Sequence, residues 1–175
     1  SQAYLQLCLD EESKKYTTIN THRGLFSFNR LCFGVSSAPG IFQRVMENLL
    51  RDVQGVAVYL DDLVLGGKDK NEHDERLRLV FQRLQESGLK LKKSKCEIFT
   101  NRISYLGYII DSDGVHTSPD KVKAITNAPK PNTVTQLQSY LGLFNFYRKF
   151  VPNASQILSP LNRLLQKNVP WVWGK

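Results

Sequence analysis

Two adjacent carboxylates set inside an apolar stretch constrain this chain more than any other feature. Val56-Ala57-Val58-Tyr59-Leu60 is a short run of β-formers, Asp61-Asp62 follows it, and Leu63-Val64-Leu65 leads to Gly66-Gly67. Such runs read as strands, and a break of this length between them reads as a hairpin whose tip carries the acids. Burial of the strands carries the two acids to the edge of a core, where like charges repel unless something positive compensates. A divalent cation does so by direct oxygen coordination. Successive strand side chains point to opposite faces, so both acids reach one ion only if the turn bends the backbone between them, with Asp61 the closer ligand. A site that clamps two ions roughly 3.5–4 Å apart draws carboxylates from at least two places, so this pair is one part of such a site.

The stretches around the hairpin carry their own signals. Ala3 to Leu9 alternates apolar and other residues, which predicts a half-buried strand. Tyr16–Asn20 and Gly24–Phe28 flank the turn signal Thr21-His22-Arg23-Gly24 and predict a hairpin. Ser36-Ser37-Ala38-Pro39 offers a cap and an early proline before Ile41, Phe42, Val45, Met46, Leu49 and Leu50, one face of a helix that stops before Gly55. Beyond Lys68, Leu77, Val80, Phe81 and Leu84 stand at helical spacing, closed by Gly88 as the residue past the helix end. Lys90-Leu91-Lys92 and Tyr105–Ile110 complete a strand-rich part that the turn Asp111-Ser112-Asp113-Gly114 closes.

After Gly114 the pattern becomes helical. Ser118-Pro119 opens one helix, and Pro129 and Pro131 around Lys130 end it. Thr133-x-x-Gln136 is a capping box ahead of Leu137, Tyr140, Leu141 and Phe144. Ser159-Pro160 opens a last helix before Leu161, Leu164 and Leu165. The change of grammar places a boundary near residues 111 to 117, and there is no internal repeat or low-complexity segment.

At 175 residues and 41% hydrophobic composition the chain buries a real core. Its net charge of +8 favours a polyanionic partner. Residues 1 to 101 hold 15 Lys/Arg against 13 Asp/Glu and residues 102 to 175 hold 9 against 3, so the excess sits toward the end of the chain. Cys8, Cys32 and Cys96 are odd in number and far apart, which reads as reduced thiols without a zinc or redox pair. No apolar run approaches the roughly 20 residues of a membrane span, and no signal peptide opens the sequence, so an intracellular protein is expected. The start at Ser1, without Met and in an amphipathic stretch, reads as a piece of something longer. His22, His73 and His116 are widely separated and receive no role.

Tyr59-Leu60-Asp61-Asp62 resembles the Y-x-D-D signature of reverse transcriptases, and other blocks agree in order and spacing. They are Gln2-Ala3-Tyr4, Leu31-Cys32-Phe33-Gly34 with Ala38-Pro39-Gly40-Ile41-Phe42-Gln43, Gly88-Leu89-Lys90-Leu91, Tyr105-Leu106-Gly107-Tyr108, and Leu141-Gly142-Leu143 with Tyr147-Arg148. Together they resemble the polymerase of gypsy-type retrotransposons and related retroviral elements over essentially the whole chain. The resemblance implies an α+β fold, an antiparallel palm sheet with helices on one face over residues 1–112, then a small helical thumb and the start of the connection over residues 113–175. It implies catalytic, metal-binding Asp61 and Asp62, with two Mg²⁺ ions or Mn²⁺ in their place. Tyr4 matches the bulky residue that crowds a ribose 2′-hydroxyl. Phe33 and Gly34 match the lining of the incoming nucleotide, with Phe where many retroviral enzymes have Gln. Leu106, Gly107 and Tyr108 match the primer grip. Lys90, Lys92, Lys93 and Lys95 form a basic run that is either a solvated face or a contact to the nucleic-acid backbone.

The implied partners are a primed RNA or DNA template and deoxynucleoside triphosphates, and no membrane. The implied location is the cytoplasm, in a retroelement particle, or the nucleus, and not the secretory route. The family's first catalytic aspartate falls two positions before Ser1 by motif spacing. The fingers, ribonuclease H and integrase regions of the parent polyprotein likewise fall outside this sequence, so the 175 residues alone are not expected to polymerise. Two readings follow: an RNA-directed DNA polymerase represented by a fragment, or an inactive retroelement remnant kept as a nucleic-acid-binding or interaction module.

Overall fold

A computed structural model describes residues 3–173, so Gln2 of the first motif block lies outside the described residues. The fold is α+β. Its elements are α1 (Glu11–Lys15), β1 (Thr18–Thr21), β2 (Gly24–Ser27), α2 (Ala38–Leu50), β3 (Val56–Tyr59), β4 (Asp62–Leu65), α3 (Lys70–Glu86), β5 (Arg102–Tyr105), β6 (Tyr108–Asp111), β7 (Gly114–Thr117), α4 (Pro119–Thr126), α5 (Val134–Phe146) and α6 (Ala154–Arg163). The strands are all antiparallel and form separate β1-β2, β3-β4 and β5-β6-β7 sheets rather than one continuous palm sheet. Each strand is four residues long and pairs with its neighbour in sequence across a tight turn. Among the described residues no helix is long and apolar enough to cross a membrane.

The chain divides into two compact units, Ser1–Cys96 and Glu97–Lys175. That division falls ahead of the boundary near residues 111 to 117 suggested by the change in sequence grammar, and it groups β5, β6 and β7 with the helices that follow them.

In the first unit the core is built on α2, where Ala38, Phe42, Met46 and Leu50 recur every four residues and are all buried. Val80 and Leu84 of α3 meet this stripe, and Val56, Val58 and Leu63 of the β3-β4 hairpin pack on the same cluster. The N-terminus of α3 is capped by Asp69, whose carboxylate accepts from the Glu72 N–H at 2.9 Å. Its end is a Schellman motif: Leu89 N–H donates to Leu84 O at 3.0 Å and Gly88 N–H to Gln85 O at 3.1 Å, with Gly88 at φ +75°. Arg76 of α3 donates to Gly66 O at 2.6 Å and to Glu72 Oε1 at 2.8 Å, and Gly66 N–H donates to Gly55 O at 2.9 Å, which closes the base of the hairpin.

The expected strand over Ala3–Leu9 is corrected. Tyr4–Gln6 is one turn of 3₁₀ helix, and only Cys8 forms a bridge, with Arg30. In a 3₁₀ turn residues three apart share a face, and here Tyr4 and Leu7 both pack on the core. Lys90-Leu91-Lys92 is not a strand either, and it leads into a short 3₁₀ turn at Lys93–Lys95. Helix α1, whose first turn Asp10 caps by accepting from Ser13 N–H at 2.6 Å, was not foreseen from the sequence.

In the second unit the three-stranded sheet includes β7, which runs past the turn Asp111-Ser112-Asp113-Gly114 expected to close the strand-rich part. Thr133 caps α5 as predicted, accepting from Gln136 N–H at 3.2 Å, while the Gln136 amide oxygen accepts from Asn132 N–H at 2.8 Å. Ser159-Pro160 does not open the last helix. It lies inside α6, which begins at Ala154 because Ala154 and Leu158, four residues apart, are both buried. Cys8, Cys32 and Cys96 are free.

Across the β6-β7 turn, His116 Nε2 and Asp111 Oδ1 lie 2.7 Å apart. That hydrogen bond holds the Asp111 carboxyl below the usual carboxylate range, with help from the Asp113 N–H at 3.0 Å. A carboxyl lowered in the folded state stabilises the fold above its unfolded value of about 3.9 and loses that contribution as pH falls through the folded value. Asp111→Asn should therefore lower the thermal midpoint above about pH 4, and the gap from the parent chain should narrow as pH falls below that value. Thermal melts across this range check it, and a gap that stays constant would remove the pair as a source of stability.

Candidate active site

The two acids stand at the tip of the β3-β4 hairpin. Tyr59 pairs with Asp62, which leaves Leu60-Asp61 as a two-residue turn. Leu60 has φ +53°, while Asp61 is not among the residues of positive φ. That is the pattern of a type II′ turn, whose first central position glycine usually takes. A leucine held there costs of order 1–3 kcal/mol unless surrounding structure over-determines it.

Gln43 of α2 supplies that determination. Its Oε1 accepts from Leu60 N–H at 2.6 Å, and its Nε2 donates to Val58 O at 3.0 Å and to Glu47 Oε1 at 2.7 Å. One amide thus bonds the backbone on both sides of Tyr59, and the helix that carries it is anchored by the buried stripe beside it. Val58 and Leu63 face the core, so by alternation Tyr59 and Asp62 face away from it, and Asp61 and Asp62 are both exposed. Asp61 is the second turn residue and Asp62 the first residue of β4.

The donor set suits a hard divalent cation. Mg²⁺ is commonly held by one or two carboxylates, with waters and substrate oxygens completing its shell. Among the described residues no cluster of three or more His, Cys, Asp or Glu side chains could enclose a metal. Asp61 and Asp62 are therefore an exposed pair of carboxylates rather than part of a protein cage.

Tyr4 and Phe33, two residues singled out from the sequence, are brought together. Their ring centroids are 5.2 Å apart, and the Tyr4 ring meets Phe42 edge-on at 5.6 Å. Phe42 is 3% exposed and belongs to the core, whereas Phe33 is 56% exposed. Gly34 follows at φ +90°. Beside Tyr4, the Gln6 amide bonds Lys90 twice, accepting from Lys90 N–H at 2.6 Å and donating to Lys90 O at 3.3 Å. Arg30 Nη1 donates to Gln6 O at 2.8 Å. The start of the basic run is thus tied to the Tyr4 turn, and Lys90, Lys92, Lys93 and Lys95 are all exposed.

In the second unit Leu106-Gly107 forms the two-residue turn between β5 and β6, with φ +49° and +83°. The turn rests on the end of α5. Tyr147, 7% exposed, donates its phenol to Gly107 O at 2.6 Å. Tyr108 stacks on Phe146 with centroids 5.0 Å apart, and Lys149 Nζ lies 4.1 Å from the Tyr108 ring centroid.

Sequence reading identified the acids and the aromatic residues but gave no role to Gln43, Gln6 or Tyr147. Gln43 and Tyr147 both sit in blocks quoted for their resemblance. The only local hint of Gln43's role is a two-residue turn without glycine or asparagine, which calls for an outside support.

Residues 1–110 match the family described as reverse transcriptase (RNA-dependent DNA polymerase). The chain is 37% identical over 169 residues to the retrovirus-related Pol polyprotein from transposon 297 of Drosophila melanogaster, covering 95% of this chain and 16% of that protein. It is 32% identical over 165 residues to the corresponding polyprotein from transposon gypsy of the same organism, covering 93% of this chain and 16% of that one. The foamy viral protease-reverse transcriptase dRH, solved in complex with double-stranded DNA, superposes with a TM-score of 0.86 at 31% identity, over 94% of this chain and 29% of that one. The chain thus spans about a sixth of the length of the curated relatives it matches.

Proposed function

This chain belongs to the reverse transcriptase family, in the branch of retrotransposon Pol polyproteins, and we propose that it serves as palm and thumb of an RNA-directed DNA polymerase. In that reaction the primer 3′-oxygen bonds to the α-phosphorus of a deoxynucleoside triphosphate, the bond from that phosphorus to the pyrophosphate oxygen breaks, and the hydroxyl proton passes to solvent. The observation that carries the reading is the Leu60-Asp61 turn, which presents two exposed carboxylates on a backbone fixed by Gln43.

Asp61 and Asp62 would hold Mg²⁺, with Mn²⁺ as the substitute ion. When bound, the metal supplies Lewis-acid stabilisation of charge on the attacking and leaving oxygens. Asp61, at the corner of the turn, would be the principal ligand, and Asp62, paired with Tyr59 at the strand end, would support it. The Tyr4 ring, backed by Phe42, forms a wall against a ribose 2′-hydroxyl, and Phe33 and Gly34 line the same side. Leu106, Gly107 and Tyr108 hold the primer end. The exposed lysines from Lys90 to Lys95 and the basic excess after residue 101 favour sequence-independent, salt-sensitive contact with phosphates. Two neighbouring acids on one turn are one side of a two-ion site, so the 175 residues by themselves should not extend a primer.

Extension of a DNA primer on an RNA template by the intact parent polymerase tests this reading, and no deoxynucleotide incorporation sinks it. The charge skew supports a second reading, a retroelement remnant that only binds nucleic acid. Salt-sensitive binding of a DNA/RNA hybrid with no incorporation would favour that reading, and no binding at low salt would exclude it.

The role of Gln43 gives a separate expected result. Gln43→Leu keeps the size of the side chain and removes all three of its hydrogen bonds, so single-turnover incorporation should fall about 10- to 100-fold, as for other groups that orient metal ligands. Affinity for primer–template should stay within about twofold, because no binding surface is altered. An unchanged rate would mean that the hairpin holds its own turn.

A further inference from the structure

We propose that Tyr147 is a positioning residue for the polymerase reaction, locking the Leu106-Gly107 turn to the end of α5 through its hydrogen bond to Gly107 O. The inference rests on the polymerase reading given above and deepens it.

Four observations carry the proposal, all within the second unit. The first is the bond itself: a phenol that is 7% exposed donates at 2.6 Å to the carbonyl of the second turn residue. A buried phenol O–H needs a partner, and here the turn backbone is that partner. The second is the fit of the turn against the helix. A Cβ on Gly107 would lie 3.3 and 3.4 Å from Phe146 ring carbons and 3.5 Å from the Tyr147 oxygen, and its φ of +83° already disfavours a side chain. The turn is therefore seated on α5 at one height.

The third observation is that Tyr108, the residue after the turn, is held from several sides. It stacks on Phe146 at an interplanar angle of 12°, meets the Tyr147 ring edge-on at 5.8 Å, and donates its own hydroxyl to Phe146 O at 3.3 Å. The fourth is that the Lys149 ammonium lies over the Tyr108 ring, 4.1 Å from its centroid, so a cation adds to the packing of that ring. Burial, and secondarily the neighbouring Tyr108, pushes the Tyr147 phenol above its ordinary value, which keeps the proton on the donor.

Hairpin and helix consequently move as one body. A hairpin that holds a primer terminus has to keep the 3′-oxygen at attack distance, and small displacements of a reacting atom cost far more rate than affinity. The Tyr147 hydroxyl touches only protein and acts through Gly107, so its loss should appear in the chemical step and spare binding.

The test uses the intact polymerase in single-turnover primer extension, with incorporation rate, active fraction, nucleotide Kd and primer–template Kd measured separately. Tyr147→Phe, which keeps the ring, should slow incorporation about five- to tenfold with both Kd values within about twofold. Gly107→Ala should slow it similarly by pushing the turn off Phe146, and the double variant should be no slower than the slower single variant within about twofold, because both remove one coupling. The proposal is overturned if Tyr147→Phe keeps its rate per active site and loses only active fraction, which is a merely structural role. It is also overturned if primer–template Kd changes instead of rate, or if the two effects multiply. Should Tyr147→Phe yield no folded enzyme, Gly107→Ala decides alone by the same criterion. A parent enzyme that incorporates nothing is a different failure, since it brings down the polymerase reading on which this inference stands.

Discussion

Asp61→Asn in the intact polymerase should lower single-turnover nucleotide incorporation by at least about 10³-fold, roughly 4 kcal/mol of transition-state stabilisation. The substitution keeps the size of the side chain and its place in the turn, so what it removes is one negative charge and one strong oxygen ligand. The bonds of the Gln43 side-chain amide to Leu60 N–H and Val58 O do not involve the Asp61 side chain and survive it. Asp61 is exposed at the corner of the turn and buries nothing, so stability should be unchanged. Asp62→Asn should also impair the reaction, but less, because Asp62 sits at the strand end opposite Tyr59 rather than at the corner. Primer–template affinity should stay within about threefold for both variants, since phosphate contacts by the basic surface are untouched. An Asp61→Asn enzyme that retains activity would remove the turn from the reaction and the assignment with it.

The residues differ in how much of this their sequence reveals. The β3-β4 hairpin, α2 and α3 are legible because their signals are local: apolar spacing, a two-residue break and a glycine past the helix end at Gly88. The 3₁₀ turn at Tyr4 is not legible, because alternation from Ala3 to Leu9 fits a strand equally well. The choice is made by the core, which accepts Tyr4 and Leu7 on one face. Pro160 misleads for a related reason: its local signal for a helix start is outweighed by the burial of Ala154 and Leu158 upstream.

The site divides along the same line. Asp61 and Asp62 announce themselves by charge in an apolar run, and Tyr4, Phe33 and the Leu106-Gly107-Tyr108 turn are found through resemblance. The supports are hidden because their partners are backbone atoms far along the chain. Gln43 bonds Val58 and Leu60, Gln6 bonds Lys90, and Tyr147 bonds Gly107. Nothing in a glutamine or a tyrosine announces which distant peptide group it will hold, so such roles are visible only once the fold brings the groups together.

Tyr4 separates resemblance from packing most sharply. Tyr4→Ala should raise the use of ribonucleoside relative to deoxyribonucleoside triphosphates by about 10²-fold, roughly 2.7 kcal/mol in the ratio of kcat/KM values. The argument is mechanical. Phe42 is 3% exposed and lies against the Tyr4 ring at 5.6 Å, so a 2′-hydroxyl pressing on that ring meets a wall with the core behind it. Close packing leaves the ring nowhere to retreat, and removing it opens the space that discriminates. Tyr4→Phe keeps the wall and should leave selectivity within about twofold, because the phenol oxygen is not what excludes the hydroxyl. Alanine at this position also withdraws packing from the core and will reduce the folded fraction. The selectivity ratio is measured on one preparation against two competing substrates, so that loss cancels. A Tyr4→Ala enzyme with parental selectivity would make Tyr4 an ordinary packing aromatic and leave discrimination to be sought in Phe33 and Gly34.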